Sequence, residues 1–389
     1  MNVSQFQWSE STGWSPVAPP HVGSSQSILI TVFGAPNVLA RPQVLSQLVE
    51  KYPEGIIVGC STAGEIVDVA VKDDSAVATV MAFEKSLVEV ARTSLHAANE
   101  SFDAGKLLAN RLPRTMTSDA GAVMPLKHVF VLSDGLVVNG TALVAGLTKG
   151  LPTDVSVTGG LAGDGARFAK TVVVDGGELH EHAVVAVGLY GEALQIGFGS
   201  LGGWDPFGPE RLVTKAQDNV LYEFDGRSAL EVYKHYLGRH AADLPASALL
   251  FPMSLRMPWG GDPLVRTVLG IDETSQSMTF AGDVPEGAYA RLMKANFDRL
   301  IDGAADAART SVAALNDGTA EVALLISCVG RKLLLRQRIE EEVEGVREVL
   351  GPRPTLAGFY SYGEISPFSA GASCELHNQT MTITTLREV

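Results

Sequence analysis

The sequence lacks the features that mark secreted, membrane-spanning and disulfide-stabilised proteins. Only three of its 389 residues are cysteines (Cys60, Cys328 and Cys374), and they lie far apart without a C-x-x-C pair. An odd number of dispersed cysteines argues against a disulfide framework and against a structural zinc site. The N-terminus has no basic segment followed by an apolar one, and no apolar run approaches the roughly 18 residues that cross a bilayer. We therefore expect a cytoplasmic protein with no membrane partner.

Positive charge is also scarce. The chain has 30 lysines and arginines against 44 aspartates and glutamates, a formal net charge of −14. Nucleic acids and anionic membranes bind clustered basic residues, so we expect neither as a partner. A hydrophobic content of 46% with only 19% charged residues is typical of a folded globular chain. The length exceeds what one hydrophobic core usually serves, which predicts two domains.

One sequence pattern occurs three times. Each copy follows a short apolar run, consists of glycine and small residues, and ends in a carboxylate. The copies are GCSTAGEI with Glu65, TGGLAGDG with Asp164 and GFYSYGEISP with Glu364. A buried segment that ends in glycine precedes each copy, and the glycine loop begins 25, 24 or 28 residues after that first glycine. This spacing predicts three right-handed β-α-β crossovers. In the second crossover Asn139 precedes the helical stretch and is its predicted N-cap.

The order of the predicted elements indicates an α/β fold. We interpret it as two related domains with mixed β-sheets and helical crossovers, a duplicated architecture. The predicted boundaries are an irregular N-terminal segment at 1–26, a first domain at 27–203, a linker at 204–226 and a second domain at 227–389. In the third crossover a helix is predicted over Lys332–Leu350, with its charged residues on a solvated face.

Candidate ligand-binding residues lie in the glycine loops, because ligands in open α/β sheets bind outside the carboxyl ends of the strands. Arg331 follows a strand of the crossover that contains Glu364. Together these two residues are suited to hold the carboxylate and the ammonium group of a zwitterionic ligand. The alternative is an ion pair that only fixes the loop. Ser361 and Tyr362 offer neutral hydrogen bonds at the same place.

Glu65 and Asp164 are the corresponding candidates in the other two copies. An enzyme that uses Glu65, Asp164 or Glu364 as a general base is the alternative from another functional class. No G-x-S-x-G, P-loop or dinucleotide-binding motif occurs, and the loop acids would repel phosphate. Cys60 and Cys328 lie at strand ends with no histidine nearby in the sequence, which favours buried, unreactive thiols.

Several motifs in order resemble those of the FIST proteins (F-box and intracellular signal transduction). They are GCSTAGEI, LSDG, TGGLAGDG, SCVGR, GFYSYGEI and CELHNQTMTITTL, from about residue 27 to about residue 386. The resemblance implies a non-catalytic intracellular sensor with an N-terminal and a C-terminal FIST region. It further implies small ligands, proposed to include amino acids, and a separate signalling partner such as a histidine kinase or a cyclic-di-nucleotide enzyme.

One branch of this family has a similar layout and is described as a haem-binding sensor of nitric oxide that is coupled to a histidine kinase. The resemblance therefore implies haem b as an alternative ligand. A b-type haem needs only one axial histidine. His240, beside apolar residues at the end of a predicted helix, is the first candidate, and His377, before the last strand, is the second. For each of them a purely structural role is the alternative.

Overall fold

The computed structural model describes residues 1–16, 25–315, 318–369 and 371–389. The three predicted β-α-β crossovers are present, and each is the centre of a repeat with the same order of elements. A first strand is followed by a buried strand, a helical crossover and a parallel strand. The glycine loop, a short strand or hairpin, and a last strand antiparallel to the buried one complete the repeat.

The first two repeats are continuous in sequence. Repeat 1 consists of β1 Asn2–Ser9, β2 Gly13–Ser15, β3 Ser27–Gly34, α1 Pro36–Leu39, α2 Pro42–Lys51, β4 Ile56–Ser61, β5 Glu65–Val67, β6 Ala70–Lys72 and β7 Ala76–Phe83. Repeat 2 consists of β8 Leu87–Ser94, α3 Ser101–Arg111, β9 Thr115–Thr117, β10 Val123–Ser133, α4 Gly140–Gly150, β11 Ser156–Leu161, β12 Val173–Asp175, β13 Glu178–His180 and β14 Ala183–Tyr190.

Repeat 3 is interrupted by an additional sheet, which we call the inserted sheet. The repeat begins with β15 Leu194–Leu201. The inserted sheet, with the helical segments between its strands, consists of β16 Asp205–Gln217, β17 Val220–Phe224, β18 Arg227–Ser228, α5 Ala229–Leu237, the 3-10 turns Gly238–Asp243 and Ala246–Leu250, β19 Met253–Arg256, β20 Leu264–Arg266, β21 Val268–Asp272, β22 Ser277–Phe280 and β23 Tyr289–Lys294. Repeat 3 then continues with α6 Phe297–Ala313, β24 Val322–Cys328, α7 Val329–Leu335, α8 Ile339–Leu350, β25 Thr355–Ser361, β26 Gly363–Pro367, β27 Cys374–His377 and β28 Met381–Glu388.

Each repeat contributes one two-stranded hairpin to the sheet of another repeat. The first sheet has the order β13-β12-β4-β3-β7-β1-β2, the second β27-β26-β11-β10-β14-β8 and the third β15-β28-β24-β25-β5-β6. The strand after each glycine loop therefore leaves its own repeat: β5 pairs with β25, β26 with β11 and β12 with β4. The sheets share a core in which the rings of Phe33 and Phe359 lie 4.6 Å apart.

Local sequence explains most of these elements. Every residue of β24 is buried because this strand is covered on both faces, and its sequence is accordingly apolar nearly throughout. Proline begins α2 at a position where its missing N–H costs no hydrogen bond. Asn139 caps α4, as predicted, by accepting a hydrogen bond from the backbone N–H of Ala142 at 3.0 Å.

One glycine occupies the same place in each parallel strand. Gly59, Gly159 and Gly358 pair with Val32, Val131 and Leu325 of the neighbouring buried strands. A Cβ atom at each glycine would lie 1.8–1.9 Å from the carbonyl oxygen of its partner. No side chain can be accommodated at such a distance, so the close strand pairing of all three crossovers depends on these glycines.

Gly358→Ala should therefore destabilise the protein severely, by more than about 4 kcal/mol, because β24 and β25 would have to separate. Gly270→Ala on β21 is the matched control, since a Cβ there would meet no atom within 4 Å. We expect it to change the free energy of unfolding by less than about 1 kcal/mol. Urea denaturation of both variants measures the difference. Equal stability of the two variants would contradict the strand geometry described here.

The predicted fold class, α/β with mixed sheets and helical crossovers, is confirmed.

Two of the predicted boundaries are wrong. The segment at 1–26 is not irregular throughout, since β1 pairs with β7 over seven residues. The segment at 204–226 is not a linker, because it forms β16 and β17. The second and third sheets each contain strands from both sides of residues 204–226, so residues of both predicted domains form these sheets together.

None of the described helices is long and apolar enough to cross a membrane.

Candidate functional site

The three glycine loops contact one another at the centre of the molecule. The backbone N–H of Ala63 donates to the carbonyl oxygen of Tyr360, and that of Gly163 donates to Ser61, both at 2.8 Å. A Cβ atom on Gly163 would lie 2.9 Å from the nitrogen of Ala63. These loops therefore join the sheets, and their small residues allow the backbones to approach one another closely.

Glu364 is fully buried in this junction. Its carboxyl group accepts hydrogen bonds from the hydroxyl groups of Ser361 and Thr380, at 2.7 and 2.9 Å. Desolvation raises the pKa of Glu364 to about 8, although these hydrogen bonds and the charge of Arg331 act in the opposite direction. Glu364 is therefore largely protonated at neutral pH. Both Glu364 and Ser361 are fully buried, and the hydrogen bond between them holds the loop.

Arg331 is fully buried as well, and its partner is Glu342 rather than Glu364. Its Nε and Nη2 atoms lie 3.0 and 2.8 Å from Oε2 of Glu342. The other oxygen of Glu342 accepts hydrogen bonds from Tyr360 and Ser327, at 2.7 and 3.1 Å. The prediction that Arg331 and Glu364 hold a ligand between them is therefore wrong.

The reason for this error lies in the crossover helix. The sequence predicted one helix over Lys332–Leu350 with Glu342 on its solvated face. The structure instead ends α7 at Leu335, and Arg336 adopts a left-handed conformation with φ of 51°. Because the helix breaks at Arg336, the side of α8 that carries Glu342 is turned toward the core, beside Arg331.

Glu65 is also buried, and it accepts hydrogen bonds from the hydroxyl groups of Thr62 and Ser75. Desolvation raises the pKa of Glu65 to about 7, against the effect of these hydrogen bonds and of the nearby Lys332. Glu65 is thus fully buried, and Lys332 is the cationic side chain whose charge lowers its pKa.

Asp164 has a different environment. Although desolvation acts to raise its pKa, hydrogen bonds hold the pKa of Asp164 below its usual value. The donors are the hydroxyl group of Tyr362 and the backbone N–H groups of Phe168, Ala169 and Lys170. The ring of Phe168, itself 49% exposed, stacks on Tyr362 at 4.4 Å. Asp164 and Tyr362 therefore organise the loop that follows, and neither of them is free to contact a ligand.

A cavity of about 790 Å³ lies next to these loops, between them and the inserted sheet. Ala63, Gly165 and Ala166 of the glycine loops line one wall, α7 and its end from Val329 to Arg336 line another, and residues 240–250 of the inserted sheet line the third. The volume is typical of a small-molecule site. The cavity thus adjoins the predicted loops, although the carboxylates themselves lie behind its walls.

Lys332, like Arg336, lines this cavity. Its side chain is 16% exposed, and its Nζ atom donates to the carbonyl oxygen of Ala63 at 2.8 Å and pairs with Asp73. The Nζ atom also lies 5.5 Å from the centre of the Tyr360 ring. Asp73 is 69% exposed, so a ligand carboxylate can replace it as the partner of Lys332. Sequence reasoning chose Arg331, one residue away, which the helix directs into the core.

The two candidate haem ligands have different surroundings. His377 is buried, its Nε2 atom lies 2.7 Å from the carbonyl oxygen of Ser366, and desolvation lowers its pKa to about 4. This Nε2 atom donates to a carbonyl oxygen and cannot itself ligate iron, which leaves only the Nδ1 atom of His377 for that role. His240 is half-buried and lines the cavity beside Phe251, with the ring centres 5.4 Å apart. Of the two histidines, only His240 lines this cavity.

Comparison with known proteins identifies the class of this fold. The chain matches the FIST N domain over residues 28–227 and the FIST C domain over residues 229–367. It is 23% identical over 325 residues to an uncharacterized protein of Methanocaldococcus jannaschii, covering 78% of this chain and 60% of the relative. It is 28% identical over 238 residues to an uncharacterized protein of Mycobacterium tuberculosis, covering 58% of this chain and 59% of the relative.

The chain thus spans about three fifths of the length of these relatives. The two matched regions extend almost without interruption from β3 to the glycine loop of repeat 3. They cover well over half of the chain, so this protein belongs to the FIST family, whose domains are signal-transduction sensors.

Proposed function

We propose that this protein is a non-catalytic sensor that binds a small, amino-acid-like ligand in the cavity between α7 and residues 240–250. In this proposal the bound state regulates a separate signalling protein, such as a histidine kinase or a cyclic-di-nucleotide enzyme. The observation that supports it most is the position of Lys332, a partly buried ammonium group at the wall of the cavity. Asp73 and Asp243 on the same walls supply the opposite charge that a zwitterion requires.

The same surroundings argue against a catalytic role for the loop carboxylates. Glu65 and Glu364 are both fully buried, and Asp164 is occupied by hydrogen bonds from its own loop. A general base must come within hydrogen-bond reach of the substrate, which none of these groups does. Burial also raises the pKa of the Cys60 and Cys328 thiols, which disfavours nucleophilic chemistry.

Lys332→Met tests the proposal. The twenty standard L-amino acids, added singly to the purified protein, provide the probes, with thermal shift as the screen and isothermal titration calorimetry as the measurement. We expect binding of the responding amino acid to weaken at least tenfold, since losing the partner of a desolvated ligand charge costs about 2–5 kcal/mol. The melting temperature of the free protein should change little, because Asp73, the partner of Lys332, is 69% exposed and an ion pair screened by solvent contributes about 0–1 kcal/mol.

Lys234→Met is the matched control. Lys234 also pairs with an exposed carboxylate, that of Glu273, and its side chain is 31% exposed, but it lies on α5 outside the cavity. This variant should bind as tightly as the original protein. Equal affinities of the Lys332→Met and Lys234→Met variants would refute a role for Lys332, and the absence of any response to all twenty compounds would refute the amino-acid class.

Haem b is the second candidate ligand, and the position of His240 on the cavity wall favours it. Leu249, Leu250 and Val329 would contact the macrocycle, and Lys332 and Arg336 lie where propionate groups need cations. Bound haem would supply an iron centre that binds nitric oxide. If haem is added to the protein and a Soret band develops, His240→Ala should abolish the Soret band of the ferrous protein. The same substitution should leave the melting temperature of the haem-free protein unchanged. A spectrum that His240→Ala does not alter would exclude this histidine.

A further inference from the structure

The proposed ligand cavity lies between two bodies of the fold. Ala63, Gly165 and α7 belong to the three repeats, whereas His240 and Ser247 belong to the inserted sheet. Any ligand that fills the cavity therefore touches both. Its binding can therefore change how the inserted sheet is held at the places where the two bodies are connected.

The chain enters and leaves the inserted sheet at one place. The entering segment contains Gly203, whose Cβ atom, if present, would lie 1.8 Å from the carbonyl oxygen of Arg299 in the leaving segment. The side chain of Arg299 pairs with Asp205, and Asn296 donates to the same carboxylate at 3.1 Å. The entering segment is thus in direct backbone contact with the leaving one, which already includes the first turn of α6, and the two form a single joint.

Arg331 is bonded to both halves of this joint. Its Nη1 atom donates to the carbonyl oxygen of Gly202, and its Nη2 atom donates to that of Leu300, each at 2.6 Å. Gly202 lies just before the inserted sheet, and Leu300 lies just after it. Arg331 is also a residue of α7, next to Lys332 on the cavity wall. Its guanidinium group therefore joins the cavity helix to both connections, and Glu342 fixes its orientation.

We infer that Arg331 transmits occupancy of the cavity to the two connections of the inserted sheet. A displacement of α7 by a ligand moves the guanidinium group, and the two carbonyl oxygens bonded to it must follow or lose their hydrogen bonds. The inserted sheet is then the part of the molecule that responds to the ligand. This inference rests on the proposed function, because it takes the cavity as the sensing site, but it does not depend on which ligand binds there.

A covalent occupant of the cavity tests the inference directly. Ala166 lines the cavity and is exposed. Ala166→Cys, in a Cys374→Ser background that removes the half-buried native thiol, can be labelled with benzyl methanethiosulfonate, and dithiothreitol removes the label again. Hydrogen–deuterium exchange of the full chain then reports on the peptides that contain residues 200–206 and 294–301. We expect the label to change the exchange rate of both peptides at least threefold, and reduction to restore it.

The decisive comparison removes the ion pair as a unit. Arg331→Met with Glu342→Gln should abolish the response of both peptides to the label, whereas Arg347→Met with Asp68→Asn, a pair outside this path, should preserve it. If the Arg331→Met, Glu342→Gln variant does not fold, Arg331→Lys replaces it, since a lysine cannot reach both carbonyl oxygens and Glu342 together.

The inference would be overturned if the exchange rates of the two peptides still responded to the label in either Arg331 variant. It would also be overturned if the label changed the exchange rate of neither peptide in the protein that retains Arg331. The amino-acid screen fails or succeeds independently of this experiment. Absence of amino-acid binding together with a label response that requires Arg331 would refute the proposed ligand class and support the coupling.

Discussion

Arg331→Met alone should lower the free energy of unfolding by about 3–5 kcal/mol, the largest loss that we expect from a single side chain away from the glycines. The substitution leaves the carboxylate of Glu342 buried without its cation, with only the hydroxyl groups of Ser327 and Tyr360 as partners. It also removes the donors to the carbonyl oxygens of Gly202 and Leu300. Urea denaturation with linear extrapolation measures the loss.

The double substitution Arg331→Met, Glu342→Gln is the control for this prediction. It removes both charges together, and a buried ion pair replaced as a unit is often close to neutral for stability. We expect it to recover more than half of the loss caused by Arg331→Met. If the single variant were as stable as the original protein, the pair would not be desolvated as its buried position indicates.

The stability of the protein should fall as the pH rises from about 5 to 9, and Glu364→Gln should remove most of that dependence. The pKa of Glu364 is raised to about 8 in the folded state by desolvation, while the unfolded chain has the ordinary value of 4.5. Between these values the folded state binds more protons than the unfolded state. The resulting stabilisation is present in full below about pH 4.5 and is lost as the pH rises through 8.

The size of the effect follows from the shift, on the order of 3–5 kcal/mol for a fully buried group. Glutamine at position 364 has no charge to lose, and its amide oxygen can accept the hydrogen bond that the hydroxyl group of Ser361 donates to the carboxyl group. Chemical denaturation at a series of pH values measures the dependence. Glu65→Gln should remove a smaller part of this pH dependence, the part that ends near pH 7. Identical pH profiles of Glu364→Gln and the original protein would contradict the assigned protonation state.

Local patterns predicted the parts of the fold that depend on local interactions. The three crossovers, their glycine loops and the Asn139 cap were predicted correctly from the spacing of apolar residues, glycine and a capping side chain. The pairing of β5, β12 and β26 with strands of other repeats was not predicted from the sequence. A short strand carries no signal for which sheet edge it joins, because that choice depends on contacts between residues far apart in sequence.

The candidate site was found only in part for a related reason. The repeated Gly-acid loops do border the cavity, through Ala63 and Gly165. Which neighbouring side chain faces it depends on how α7 is oriented and on the break at Arg336, so the sequence favoured Arg331 where the structure presents Lys332. Residues 240–250, the third wall, gave no signal besides His240. Glycine and proline at 204–226 were interpreted as a linker, although β16 tolerates them in its irregular pairing with β23.

The most direct test of the ligand cavity is a crystal structure of the full chain grown with the amino acid that most raises its melting temperature. We predict electron density for the ligand between Lys332 and residues 240–250, with its carboxylate on the Lys332 ammonium group in place of Asp73. Density for the ligand at any other surface, with the Lys332–Asp73 pair intact, would contradict the account.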